Sequence, residues 1–209
     1  MIDNSTWIKS LLNLHNSPDT YYHLQILKRR KDNPDMTKRE HIVMDKFIDG
    51  PDHLTKLLPE LRAIAEATQA RVMINVTPRT YSKTGPAMLQ DLAALVPGGD
   101  YRKAARLFTS TTAKNPGRNK LWVLDIDPPV VGEHHWITNE LCNTYIDKDV
   151  LLRPNVRATI PTPNGIHYIM TPFNLQSYNL AAAGTKWGQY IDVKKDAHTI
   201  LYVPKSINS

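Results

Sequence analysis

One cysteine, Cys142, stands in a chain of 209 residues, so no disulfide can form within the chain and no site built on several thiolates can exist. Long apolar runs are missing too: nothing approaches the roughly 18 to 20 consecutive apolar residues that a spanning helix needs. The first ten residues, MIDNSTWIKS, lack the basic-then-apolar pattern of a secretory signal. These absences point to a cytoplasmic protein with no membrane partner. Acidic charge is in deficit, with 20 Asp and Glu against 26 Lys and Arg and a formal net charge of +6. That balance favours an anionic partner, although plain basic enzymes share it. The 41% hydrophobic and 22% charged content is that of an ordinary globule. The length suits one domain, 1–209, with room for two lobes, about 1–112 and 113–209.

The stretch NKLWVLDIDPP, residues 119–129, organises the rest. Leu121, Trp122, Val123 and Leu124 are too few for a helix and read as a buried strand that ends at Asp125-Ile126-Asp127. Strand side chains alternate, so Asp125 and Asp127 point to one face. Two like charges held that close repel unless a cation or proton lies between them. An oxygen-ligated divalent metal, Mg2+ or Mn2+, accounts for the pair; a strand that simply ends in acidic turn residues is the plainer alternative.

Upstream, the pattern predicts a helix over Ser5–Leu14, then strands over Thr20–Leu27 and His41–Ile48 that pair as a hairpin. The connection between them carries Lys28, Arg29, Arg30, Lys31, Lys38 and Arg39. It is either a phosphate-facing ridge or a solvated loop, and no aromatic residue is interleaved in it. Asp52 is placed to cap a helix on which Leu54, Leu57, Leu58, Leu61, Ile64 and Ala65 recur, with Pro59 inside. Arg71–Thr77 reads as the next strand, bracketed by Arg71 and Arg79 with Asn75 in its apolar interior. Helices are expected at Ala87–Val96 and Tyr101–Phe108, followed by a polar, turn-rich stretch over 109–118. Alternating helices and strands place the fold in the α/β or α+β class.

Beyond the aspartates, Glu133-His134-His135 lacks the spacing of a helical two-histidine metal motif and reads as loop. Trp136–Ile146 is expected to be helical, which makes Cys142 a packing residue. In TIPTPNGIHYIMTPF, residues 159–173, a turn with Gly165 leads into a strand over Ile166–Met170 that opens on His167. Such a glycine lets backbone N–H groups approach a phosphate and the imidazole add a hydrogen bond; a histidine that ties down the turn is the alternative. In QYIDVKKDAHTILYVP, residues 189–204, Asp192 sits among apolar β residues, 194–197 form a turn, and Thr199–Val203 is the return strand. A carboxylate there is costly to bury unpaired, so Asp192 is a candidate to complete the metal site, whereas Asp196 occupies a turn that needs no special cause.

LDIDP at 124–128, TPNGIH at 162–167 and YIDVKKDAHTILYVP at 190–204, in that order, resemble the archaeo-eukaryotic primase–polymerase superfamily, especially the polymerase domains of bacterial end-joining ligases. Thr162 stands where many relatives carry a serine. The resemblance implies an N-terminal α/β unit joined to an RRM-like catalytic unit. It implies a metal-dependent nucleotidyltransferase that extends or primes a nucleic-acid strand from nucleoside triphosphates, working with replication or repair proteins. Asp125, Asp127 and Asp192 would hold Mg2+ or Mn2+, and His167, Thr162, Gly165 and Lys194 would contact the nucleotide. Lys28, Arg29, Arg30, Lys31 and Arg71 would face nucleic acid. A metal-dependent nuclease or phosphodiesterase and a noncatalytic basic nucleic-acid-binding protein are the alternatives.

Overall fold

The computed structural model describes residues 1–99, 101–115, 117, 119–128, 155–183 and 185–207. The first half supplies β1 (Ile2–Asp3), α1 (Ser5–Asn13), β2 (Thr20–Arg29), β3 (Glu40–Ile48), α2 (Pro51–Thr68), β4 (Arg71–Asn75), β5 (Arg79–Thr80), α3 (Tyr81–Leu95) and α4 (Leu107–Lys114). The second half supplies β6 (Trp122–Ile126), β7 (Val156–Pro161), β8 (Ile166–Met170), α5 (Leu175–Ala182), β9 (Ile191–Lys195) and β10 (His198–Val203). The fold is therefore mixed α and β. The segments read as Glu133-His134-His135 and as a helix with Cys142 lie outside the described residues.

The described strands form two antiparallel sheets. One has the order β1-β10-β4-β2-β3, with β5 added alongside β2; the other runs β7-β8-β6-β9. Helix α2 lies on the first sheet because Leu54, Leu58, Leu61 and Ala65 fall on one stripe and are buried there. Its start differs from expectation. Gly50 is the N-cap residue and Pro51 opens the helix, so Asp52 lies in the first turn rather than capping it. The shared core joins Leu24, Ile26, Val72 and Ile74 of the first sheet to Val123, Ile160 and Ile169 of the second. The other face of the second sheet packs Leu124, Ile126, Ile166 and Met170 against Tyr178 of α5 and Trp187.

Three further differences have local causes. Helix α3 starts at Tyr81, six residues earlier than the apolar pattern suggests, and contains Pro86. Tyr101–Arg106 is a 3-10 turn, and α4 occupies part of the stretch that reads as turn-rich. Threonines are weak helix formers, but α4 is fixed from outside. Leu107, Thr111 and Thr112 are buried, the Thr111 hydroxyl donates to Asp91 over 2.8 Å, and Thr112 lies 3.0 Å from the Tyr21 hydroxyl. The largest difference concerns 191–203, which reads as a hairpin. Here β9 pairs with β6 in one sheet while β10 is inserted between β1 and β4 in the other. A lobe boundary near 112/113 is thus crossed by β10.

Candidate functional site

Along β6 one face passes from core to solvent in three steps: Val123 is buried, the Asp125 side chain is 12% exposed, and Asp127 is exposed. Register does the rest. Asp125 is directly opposite His167 on β8 and directly opposite Asp192 on β9, and directly opposed residues in antiparallel strands share a face. Three stretches far apart in sequence therefore supply one row, His167–Asp125–Asp192. The pairing runs one step further, since the Asp127 N–H donates to the Tyr190 carbonyl over 3.0 Å.

The row is held by hydrogen bonds and charge. His167 Nε2 lies 3.0 Å from Asp125 Oδ1, and His167 Nδ1 lies 2.8 Å from the hydroxyl of Thr199 on β10, across from the second sheet. The Lys194 ammonium donates to Asp125 Oδ2 and lies 3.7 Å from Asp192 Oδ2. Burial alone would raise the Asp125 pKa, but the His167 hydrogen bond and charge, then those of Lys194, outweigh it and hold the group at about 2. Asp125 is thus an ionised carboxylate at neutral pH.

His167 is correspondingly different from the phosphate-contacting group expected of it. Its ring is buried and both nitrogens are engaged, so it orients Asp125 rather than presenting a donor to solvent. Thr162 and Gly165 also turn inward. The Gly165 N–H donates to the Thr162 hydroxyl over 2.9 Å, and the Thr162 N–H to the Gly165 carbonyl over 3.0 Å. Gly165 is needed for a close approach: a Cβ there would lie 1.9 Å from the Ile126 carbonyl oxygen. The turn is pressed against the Ile126 carbonyl at the end of β6, and the Thr162 and Gly165 amides are spent within the turn.

The expected set of three carboxylates does not close. Among the described residues no three His, Cys, Asp or Glu side chains gather tightly enough to hold a metal ion. Two oxygen donors, from Asp125 and Asp192, do flank the Lys194 ammonium, so a cation already occupies the space between them. That donor chemistry fits a hard divalent ion.

Arg71 is corrected outright. Its Nε and Nη2 donate to the two oxygens of Asp32 over 2.7 and 2.6 Å, and the side chains are 5% and 4% exposed. A guanidinium so enclosed is structural and does not face nucleic acid. Asp196, in contrast, has more cause than a turn demands. It adopts the left-handed conformation at φ 51°, its carboxylate accepts from Arg79 Nη2 at 3.0 and 2.9 Å, and Asn75 Nδ2 bonds both its side chain and its carbonyl. This clamp fixes the crossover between Lys194, which holds Asp125, and Thr199, which holds His167. Arg79, Asn75 and Thr199 are supporting residues to which the sequence pattern alone assigns no role. The signal was present in Asn75 and Arg79, polar groups at an otherwise apolar strand. Among the described residues no helix is long and apolar enough to cross a membrane. Comparison with family models, with curated proteins and with solved structures returns no match.

Proposed function

We propose that the chain is a cytoplasmic nucleotidyltransferase of the primase–polymerase type, adding nucleotides to a nucleic-acid strand or priming one, with Mg2+ or Mn2+ as cofactor. The observation that carries the reading is the single row His167–Asp125–Asp192, assembled from three separated stretches by strand register. The strand order supports it further. Counting β6 to β9 as first to fourth, the spatial order 2-3-1-4 is that of a split βαβ sheet, the arrangement of RRM-like units.

In this reading Asp125 and Asp192 would hold the metal, with Asp127 beside them at the open end of β6. Bound there, the ion supplies a Lewis acid for the triphosphate and a more acidic primer hydroxyl. Asp125 arrives already ionised, oriented by His167, which Thr199 in turn holds. Lys194, 40% exposed beside both carboxylates, would neutralise phosphate charge there. Lys28, Arg29, Arg30 and Lys31 remain the candidates for contact with the strand, and replication or repair proteins the candidate partners.

A second reading has its own observation. Lys194 already neutralises Asp125, as suits a noncatalytic nucleic-acid-binding relative whose carboxylates have become structural. One assay separates them: purified protein with Mg2+ or Mn2+, labelled primer–template, and ribo- and deoxyribonucleoside triphosphates in separate pools. Elongated or newly primed products support the transferase. Shortened products point to a nuclease using water as nucleophile, and unchanged substrate that is nevertheless bound supports the noncatalytic relative.

A further inference from the structure

The tip of the β2–β3 hairpin is built, not merely charged. Arg29, Arg30, Lys31 and Arg39 line one recess of about 360 Å³. Lys28 stops short of it, paired in register with His41. The tip is closed by the Arg30 N–H donating to the Arg39 carbonyl over 2.9 Å, and by the amides of Asp32 and Asn33 donating to the Arg29 carbonyl over 3.0 Å. Asn33 Nδ2 adds bonds to the carbonyls of Arg29 and Gln69. Of the two aspartates in the connection, Asp32 is spent on buried Arg71, and Asp35 is exposed but is not among the residues that line the recess. Near the recess, Glu40 reaches Arg29 at 3.6 Å, which leaves the four cations in clear excess.

We propose, resting on the reading of the chain as acting on nucleic acid, that this tip docks the phosphate backbone of a double-stranded segment through Arg29, Arg30, Lys31 and Arg39. The choice of duplex follows from what the tip lacks. Single-strand sites gain much of their affinity by stacking bases on aromatic rings, and residues 28–42 contain no Phe, Tyr or Trp. Attraction is then purely electrostatic, and a duplex, with one phosphate per roughly 1.7 Å of axis, presents the denser charge. The preformed loop limits the ordering cost to four side chains, and phosphate contacts read no sequence.

The test measures binding of the full chain to a labelled duplex and to a labelled single strand of equal length across a salt series. The variant changes Arg29→Gln, Arg30→Gln, Lys31→Gln and Arg39→Gln together, with a thermal melt to show that it folds. At about 0.9 units of log–log salt slope per phosphate contact, the duplex slope should flatten by up to about 3.6 units and affinity near 0.1 M salt should fall at least about tenfold. Single-strand binding should be weaker from the start and change less. A charge-keeping variant, Arg29→Lys, Arg30→Lys and Arg39→Lys, should retain the duplex slope. An unchanged slope in the folded Gln variant overturns the proposal, as does single-strand binding equal to duplex binding in the unmodified protein. Primer extension on the same preparations separates the two readings. Nucleotide addition with an unchanged slope removes the docking site and leaves the transferase; no addition with the expected slope change does the reverse.

Discussion

The Arg71–Asp32 pair and the Asp125 network each set a carboxylate against a cation away from bulk water, yet one is sealed and the other is open. In the first, both side chains are about 5% exposed or less and two N–H donors meet two oxygens. In the second, Asp125 is 12% exposed but Lys194 is 40% and Asp192 71%. A sealed pair has nothing left to offer a ligand and serves the scaffold of the hairpin tip. An open one has a cation that solvent already screens, so an incoming ion or phosphate can exchange with it at small cost. The same chemistry thus gives a closed pair in one place and a solvent-open one in the other.

The sharpest way to break that contrast is Asp125→Asn. It keeps the shape and removes the charge, so on the proposed function nucleotide addition should fall a thousandfold or more, above about 4 kcal/mol of barrier, while the variant still melts cooperatively, lowered by roughly the 2 kcal/mol that the ionised carboxylate contributes. Primer extension beside a thermal melt checks it, and full activity in the folded variant removes Asp125 from the chemistry. In the sealed pair the weight shifts to stability. Asp32→Ala leaves Arg71 buried without its partner and should cost roughly 3–5 kcal/mol in denaturant unfolding, whereas Asp32→Ala with Arg71→Met should recover most of the loss.

Acid separates two further effects. Burial first, then the charge of His23, lowers the His198 pKa to about 4, with Asp196 and Asp45 opposing and Arg79 adding to the depression. The unfolded chain then binds the extra proton between about pH 6.5 and 4, so stability falls with pH across that window, by about 3 kcal/mol at most. His198→Asn should flatten this part of a pH–stability curve. The smallest effect belongs to Asp125, whose folded value lies near 2. Its contribution is complete above the unfolded carboxylate value near 4 and is lost between there and pH 2, on the order of 2 kcal/mol. Asp125→Asn should delete that lower window and leave the His198 window intact.

What the sequence discloses follows from what is local. Alternation in LWVLDID sets Asp125 and Asp127 on one face, and the apolar runs around His167 and Asp192 mark strands, so the row was legible as three candidates. Their alignment is a matter of register, and the structure supplies it. The roles of His167, Thr162 and Gly165 were not legible, because each depends on a partner distant in sequence or on a backbone approach so close that a Cβ on Gly165 would lie 1.9 Å from the Ile126 carbonyl oxygen. Arg71 looked like one more charge in a basic region, since nothing in its neighbourhood marks Asp32 as its counter-ion. The hairpin expected over 191–203 failed for a related reason. An alternating strand, a turn and a second alternating strand have the same signature whether the second strand folds back or leaves for another sheet.

That departure at Asp196 has a kinetic meaning. β10 fills an interior position in a sheet whose other described strands lie within residues 2–80, and Ile2 is paired with Val203. Contacts of such span make for slow folding, because the closing of a long loop must precede any gain from the pairing. At about 5–20 residues per second of synthesis, the edge of β4 waits on the order of ten seconds for its neighbour. During that interval the nascent chain carries an open strand edge, and the same late strand that completes the sheet also delivers Thr199 to His167. Assembly of the candidate site is therefore tied to the arrival of β10, so that a chain with an unfinished sheet also lacks the Thr199 contact that orients His167 and, through it, Asp125.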